Sequence, residues 1–193
     1  PEVPLSLGIV NEFEKNGLKI FGPCKEAAEI ESSKIFAKDL MLSHNIPTAS
    51  FKTFTKNNLP EVCEFLNKCE YPVVIKDDGL AAGKGVVIAN NLEEANEAVD
   101  EFRKSDRNSD ACFKFIIEEY LEGEEISVFV ITDGDDYVVL PFSQDHKKIG
   151  EGETGKNTGG MGAVAPVRKF MQNELKKKIR LKMNRAVSLS KLT

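Results

Sequence analysis

Val73 to Val86 reads VVIKDDGLAAGKGV: three apolar residues run into Lys76, then a glycine-alanine loop, then Lys84-Gly85 and a second apolar run. Glycines let backbone N–H groups approach a ligand closely and lysines supply counter-charge, so the segment is suited to holding phosphates. Two familiar nucleotide motifs do not fit it. Walker A needs four residues between its glycine and its Gly-Lys, then Ser or Thr. Here three residues separate Gly79 from Gly83, and Lys84 is followed by Gly85, which has no hydroxyl. The dinucleotide fingerprint fails as well, because Gly83-Lys84-Gly85 lacks the third glycine and no helical pattern follows.

Around this segment the pattern is mixed. Leu5 to Glu14 has helical spacing, stopped by Gly17, and Leu18 to Phe21 has the look of a short strand. Glu26 to Ser43 reads as one helix, with Ala27, Ile30, Phe36, Ala37, Leu40 and Met41 on its apolar side and Lys34 and Lys38 one turn apart on the other. Thr48 to Thr55 alternates as a half-buried strand, and Asn58 to Asn67 follows as a helix. Tyr71 to Lys76 and Val86 to Ala89 form strands on either side of the glycine loop. Asn91 caps a helix with Glu94 at the reciprocal position, and Leu92, Ala95, Val99 and Phe102 form its buried stripe. Arg103 to Asp110 reads as a polar loop. Phe113 to Glu119 and Ile126 to Thr132 are strands, and Asp133-Gly134 signals a hairpin turn before Tyr137 to Leu140. Ser143 to Ala165 is glycine-rich and without periodicity, and is expected to be a structureless functional stretch. The tail from Lys169 is basic and helix-prone. The fold class is α+β, with antiparallel-rich sheets and flanking helices, not a doubly wound sheet.

At 193 residues, 41% hydrophobic and 30% charged, the chain has an ordinary globular composition. A net charge of -5 gives no support to a general nucleic-acid or anionic-membrane surface, and no apolar run approaches membrane-spanning length. Cys24, Cys63, Cys69 and Cys112 are scattered, and the only histidines, His44 and His146, lie far apart. Reduced thiols in a cytoplasmic protein, with no zinc site or disulfide frame, are the expectation.

Three constellations carry chemistry. Lys76 ends an apolar strand, where a lysine either snorkels to solvent or holds an anion; the adjoining glycine loop favours the anion, because such a loop is costly to order without a ligand. Lys84 is the weaker candidate, since a loop lysine is readily solvated. Glu118-Glu119-Tyr120-Leu121-Glu122-Gly123-Glu124-Glu125 joins two β-rich patterns. Its backbone has the donors and acceptors to read a purine edge, and a carboxylate there suits ribose hydroxyls; the plain alternative is a solvated turn. Ser143 to Lys147 with Gly155 to Ala163 offers backbone amides beside Thr158 to Gly160 for a second anion, or is a surface loop. His146 beside Asp145 suits a general base or an ordinary hydrogen bond.

Taken in order, IFGP, AAEIESSKIFAKDL, IPTA, VVIKDDGLAAGKGV, IIEEYLEGEE, SQDHK and TGKNTGGMGA, running from Ile20 to Pro166, resemble the glycinamide ribonucleotide synthetases of the ATP-grasp superfamily. The resemblance implies an incomplete ATP-grasp fold over residues 24–193 (with 170–193 unassigned), and a remnant of a substrate-binding domain over residues 1–23. It implies a ligase of purine synthesis that joins glycine to 5-phosphoribosylamine at the expense of ATP, through glycyl phosphate. By the same resemblance Lys34 and Lys76 hold the ATP phosphates, Gly79, Gly83, Lys84 and Gly85 belong to the loop that covers them, and Glu118, Glu119 and Leu121 form the adenine linker. Glu125 matches the ribose carboxylate. Asp145, His146 and Lys147 match catalytic positions, and Asn157, Thr158, Gly159, Gly160 and Met161 match substrate-binding ones. Asp77 replaces a usual small residue, which would add negative charge near the phosphates, and Ser32 replaces a usual glycine. The family's magnesium ligands are expected outside this chain, so the isolated chain is expected to be inactive. An ATP-grasp ligase for another carboxylate and a non-catalytic nucleotide-binding module are the alternative readings.

Overall fold

In the computed structural model, which describes residues 2–80, 85–104, 113–152 and 154–170, the chain divides into two units, Pro1–Leu121 and Glu122–Thr193. The first is built on a four-stranded antiparallel sheet of β1 (Phe51–Thr55), β2 (Val73–Asp77), β3 (Val86–Ala89) and β4 (Lys114–Glu119), in the order β1-β4-β2-β3. The period-two alternation of these strands assigns the two faces. Phe54, Val73, Ile75, Ala89, Phe115 and Ile117 share the core with Val62 and Leu66 of α5 (Leu59–Leu66) and Ala95, Ala98, Val99 and Phe102 of α6 (Leu92–Lys104). The intervening residues occupy the opposite face: Val74 pairs in register with Glu118, Lys76 with Ile116, and Phe51 with Glu118. One sheet therefore carries an apolar core on one side and charged groups on the other.

The helices α1 (Glu2–Ser6), α2 (Ile9–Lys15), α3 (Lys25–Ser32) and α4 (Lys34–Ser43) precede the sheet. The single helix expected over Leu5 to Glu14 is interrupted between Ser6 and Ile9, and residues 18–21, expected as a short strand, form none. The helix expected over Glu26 to Ser43 is two, broken at Ser33, whose backbone is extended at φ -132. The break has a chemical cause. Ser33 Oγ accepts from Phe36 N at 3.1 Å, and the Asp78 carboxylate accepts from Ile35 N at 3.2 Å, so two orphan N–H groups of α4 find oxygens and a negative charge sits at its positive end.

At the start of α6, Glu94 N donates to Asn91 Oδ1 at 3.0 Å, as expected, and the Glu94 carboxylate reaches one residue further back to accept from Asn90 N at 2.8 Å. That backbone hydrogen bond, with Asn90 and Asn91 side-chain donors, holds the Glu94 carboxyl below its ordinary value of 4.5. A carboxyl with a depressed folded value stabilises above its unfolded value, and that contribution is lost as pH falls through the folded one. Glu94→Gln is therefore expected to lower the melting temperature at pH 7, with the difference from the unsubstituted chain shrinking as the pH drops below 4.5 and vanishing only below the depressed folded value; a gap that persists at still lower pH would contradict this.

The second unit contains β5 (Val130–Thr132) and β6 (Tyr137–Val139), turned at Asp133-Gly134 as expected, and a second hairpin of β7 (Gln144–Gly150) and β8 (Thr154–Val164). This second hairpin corrects the structureless stretch expected over Ser143 to Ala165. Its register shifts twice, between His146 and Lys148 and between Lys148 and Gly150, so no period of two survives in the sequence. Gly155, at φ +81, occupies a region that other residues rarely adopt, and a Cβ there would stand 2.9 Å from Ile149 Cγ2.

Candidate functional site

On the charged face of the four-stranded sheet, α4 and the end of β2 bring three lysines together around two acids. Lys34, at the first turn of α4, donates from Nζ to the Gly79 carbonyl at 2.8 Å. Gly79 has φ +99, which lets the chain turn sharply out of β2 so that its carbonyl meets α4. Asp78, between them, accepts from Ser33 Oγ at 3.3 Å and caps α4, so the base of the glycine loop is tied to the helix at two points. Burial pushes the Lys34 ammonium below its ordinary value of 10.5; Asp78 and Asp77 oppose that shift and Lys76 adds to it. A desolvated ammonium beside a second ammonium gains from an added anion.

Glu118 is the centre of the cluster. It is 4% exposed, and its two carboxylate oxygens are taken by two lysines, Oε1 by Lys76 and Oε2 by Lys38. Lys38 also donates to Thr48 Oγ1 at 2.7 Å and to the Ala49 carbonyl at 3.3 Å, and its ammonium lies 5.2 Å from the centroid of the Phe51 ring. The sequence placed Lys38 on the polar side of its helix. It is instead 8% exposed, because these oxygens satisfy all three of its N–H donors. The signal that was available is its position one turn from Lys34; the acid that buries it lies on a distant strand. Asp77, read as adding charge near the phosphates, is 2% exposed and follows Val73 and Ile75 on the face of β2 opposite Lys76. Asp78 is the acid that meets α4.

The remaining residues of the first unit are placed as follows. Glu119 receives Ser50 N on its carboxylate at 2.7 Å and donates its own N–H to Ser50 O at 3.0 Å, holding the start of β1. Gly85 O accepts from Asp77 N at 2.8 Å, closing the base of the loop. Leu121 is exposed. Gly83 and Lys84 lie outside the described residues.

The second unit gathers a separate constellation. Lys147 Nζ pairs with Glu125 at 2.8 Å and lies 3.9 Å from Asp145 Oδ2. Thr158 Oγ1 donates to Lys147 O at 2.9 Å and accepts from Gly160 N at 3.1 Å, and a Cβ on Gly160 would stand 3.4 Å from Asp145 Oδ1. His146 is in register with Gly162, Asp145 with Ala163, and Lys148 with Asn157; Met161 is exposed. Glu125 is thus joined to Asp145 and Thr158 through Lys147.

The family model for the ATP-grasp (A) domain of phosphoribosylglycinamide synthetase matches residues 32–189. The chain belongs to that family. It is 52% identical over 167 residues to a phosphoribosylamine–glycine ligase of Chlorobaculum tepidum, covering 86% of this chain and 39% of the relative. The crystal structure of phosphoribosylamine–glycine ligase from Thermotoga maritima matches with a TM-score of 0.75 at 37% identity, over 86% of this chain and 42% of that one. A D-alanine-D-alanine ligase from Helicobacter pylori, 14% identical with a TM-score of 0.68 over 94% of this chain and 50% of that one, shares the fold alone. The family and the ATP-grasp fold implied by the sequence are both borne out, and the chain spans about two fifths of the length of the curated relatives it matches. Among the described residues, no three His, Cys, Asp or Glu side chains gather as a metal ion would require, and no helix is long and apolar enough to cross a membrane.

Proposed function

We propose that this chain is the nucleotide-holding part of an ATP-dependent ligase that joins glycine to 5-phosphoribosylamine, giving glycinamide ribonucleotide, ADP and phosphate. The observation that carries the reading is the gathering of Lys34 and Lys76 beside the Gly79 turn, with Asp78 and Glu118 fixing their positions. A free carboxylate is a poor acceptor for an amine. Transfer of the γ-phosphoryl group to the glycine carboxylate makes glycyl phosphate; the amine then attacks the carbonyl carbon, and phosphate leaves with the electrons of the broken C–O bond. Lys34 and Lys76 neutralise the phosphoryl oxygens in the first step. Glu118, Glu119 and Leu121 serve the adenine, with Glu118 contributing backbone because its carboxylate is engaged by two lysines. Asp145, Lys147, Thr158 and Gly160 serve the glycine and phosphoribosylamine, beside His146, Asn157, Gly159 and Met161, and Glu125 serves the ribose. Magnesium has no fitting ligand set among the described residues, and no step is assigned to it. The setting in this reading is cytoplasmic, with small molecules as substrates.

The test is a graft. Residues 20–166 of this chain are placed over the equivalent segment of the Salmonella typhimurium ligase, which is 48% identical over 166 residues. The graft is expected to form glycinamide ribonucleotide from ATP, glycine and phosphoribosylamine, and a Lys76→Met graft to lose turnover by about 100-fold or more. A folded graft that binds ATP without making product would favour a non-catalytic module and sink the ligase reading.

A further inference from the structure

The reading that Lys76 holds phosphate raises a difficulty that the structure also resolves. Lys76 has one ion-pair partner among the described residues, and that partner is a buried carboxylate. If Lys76 leaves Glu118 for a polyphosphate, it abandons a charge in a poorly solvated place, which is strongly unfavourable unless another cation remains. Lys38 is that cation. We propose that Lys38 is the positioning residue that lets Lys76 change partners: it stays on Glu118 as the fixed counter-ion while Lys76 transfers its ammonium to the nucleotide phosphates.

Three features of the cluster support the asymmetry this requires. The Lys76 side chain is 29% exposed, that of Lys38 10% and that of Glu118 3%, so the lysine able to leave is the one nearest solvent. Lys38 is locked by Thr48 Oγ1 and the Ala49 carbonyl in addition to Glu118, whereas Glu118 is the single ion-pair partner found for Lys76 among the described residues. The two lysines take different oxygens of the carboxylate, so departure of one leaves the other's bond in place. The cluster of two lysines and one glutamate carries one net positive charge, which the phosphates would balance.

The inference rests on the phosphate role of Lys76, and the experiment separates the two. ATP binding to the 193-residue chain is measured by titration calorimetry for the unsubstituted protein, Lys76→Met, Lys38→Met and the double variant Lys38→Met with Glu118→Gln, with circular dichroism to verify the fold. Lys38→Met, which keeps the Lys76–Glu118 pair intact, is expected to weaken binding at least about tenfold, because Lys76 is now held by an acid with no second counter-ion. The double variant, with no carboxylate to compensate, is expected to return to within about threefold of the unsubstituted chain. Recovery on removing the acid is a result that a merely structural Lys38 would not give. Equal affinity for Lys38→Met and the unsubstituted chain overturns the proposal, as does a folded double variant that binds more than about tenfold weaker; the double variant carries the test even if the single one does not fold. If Lys76→Met binds ATP unchanged, the phosphate reading itself fails, whereas a weakened Lys76→Met beside an unaffected Lys38→Met sinks the exchange of partners alone. No binding by the unsubstituted chain sinks both.

Discussion

Glu118→Gln is expected to destabilise the chain by about 3–5 kcal/mol, the loss typical when one partner of a buried ion pair is removed. The substitution is nearly isosteric, so the effect is one of charge. The glutamine carbonyl still accepts a hydrogen bond, but two ammonium groups now face each other without an anion. Lys38 suffers most, because at 8% exposure it cannot turn to water, whereas Lys76 is partly exposed. Adding Lys38→Met to Glu118→Gln is expected to restore most of the loss, since a methionine beside Phe51 replaces an unpaired buried charge with an apolar side chain of similar length. Urea unfolding followed by far-ultraviolet circular dichroism measures both, the chain having no tryptophan to follow by fluorescence. A loss below about 1 kcal/mol for Glu118→Gln would mean that the carboxylate is better solvated than its burial implies.

Where the sequence was legible, local pattern and tertiary environment agreed. The stripe of α6 was read from helical spacing, and β2, β3 and β4 from short apolar runs bounded by turn residues; α6 and β2 bury the face their period dictates, while β4 is buried on both. Lys76 was picked out because a lysine at the edge of a glycine loop needs a reason to be there, whereas Lys34 was named only by the family resemblance. What was hidden depended on partners remote in the chain. Lys38 looks like any exposed helical lysine until Glu118 is beside it. The break at Ser33 depends on the carboxylate of Asp78, the residue that follows β2. Strand alternation turns Asp77 to the face opposite Lys76, although its charge still acts on Lys34. The β7–β8 hairpin was missed for a different reason: its strands are polar and glycine-rich, and two register shifts remove the alternation by which a strand is recognised.

Phe115→Ala is expected to cost about 3–5 kcal/mol, and to disturb the charged cluster although it lies on the opposite face of β4 from Glu118. Phe115 is fully buried, with its ring centroid 5.4 Å from that of Phe54 in a stacked pair and 5.1 Å from that of Phe113. Truncation removes these ring contacts together with the buried area of the largest side chain on β4, leaving a cavity that a strand held on both sides by β1 and β2 can close only in part. The two faces of β4 are not independent. Phe115 and Ile117 point to the core, while Ile116 and Glu118 alternate to the opposite side, so any tilt that relieves the cavity displaces Glu118 relative to Lys38 and Lys76. The same urea titration measures the stability. Amide hydrogen exchange adds the second readout: faster exchange is expected for the β4 N–H groups paired to β2 as well as for α6, because the core under the strand is what holds its charged face in register. Exchange that quickens in α6 while β4 stays protected would show that the charged cluster is held by its own ion pairs and not by the packing behind it.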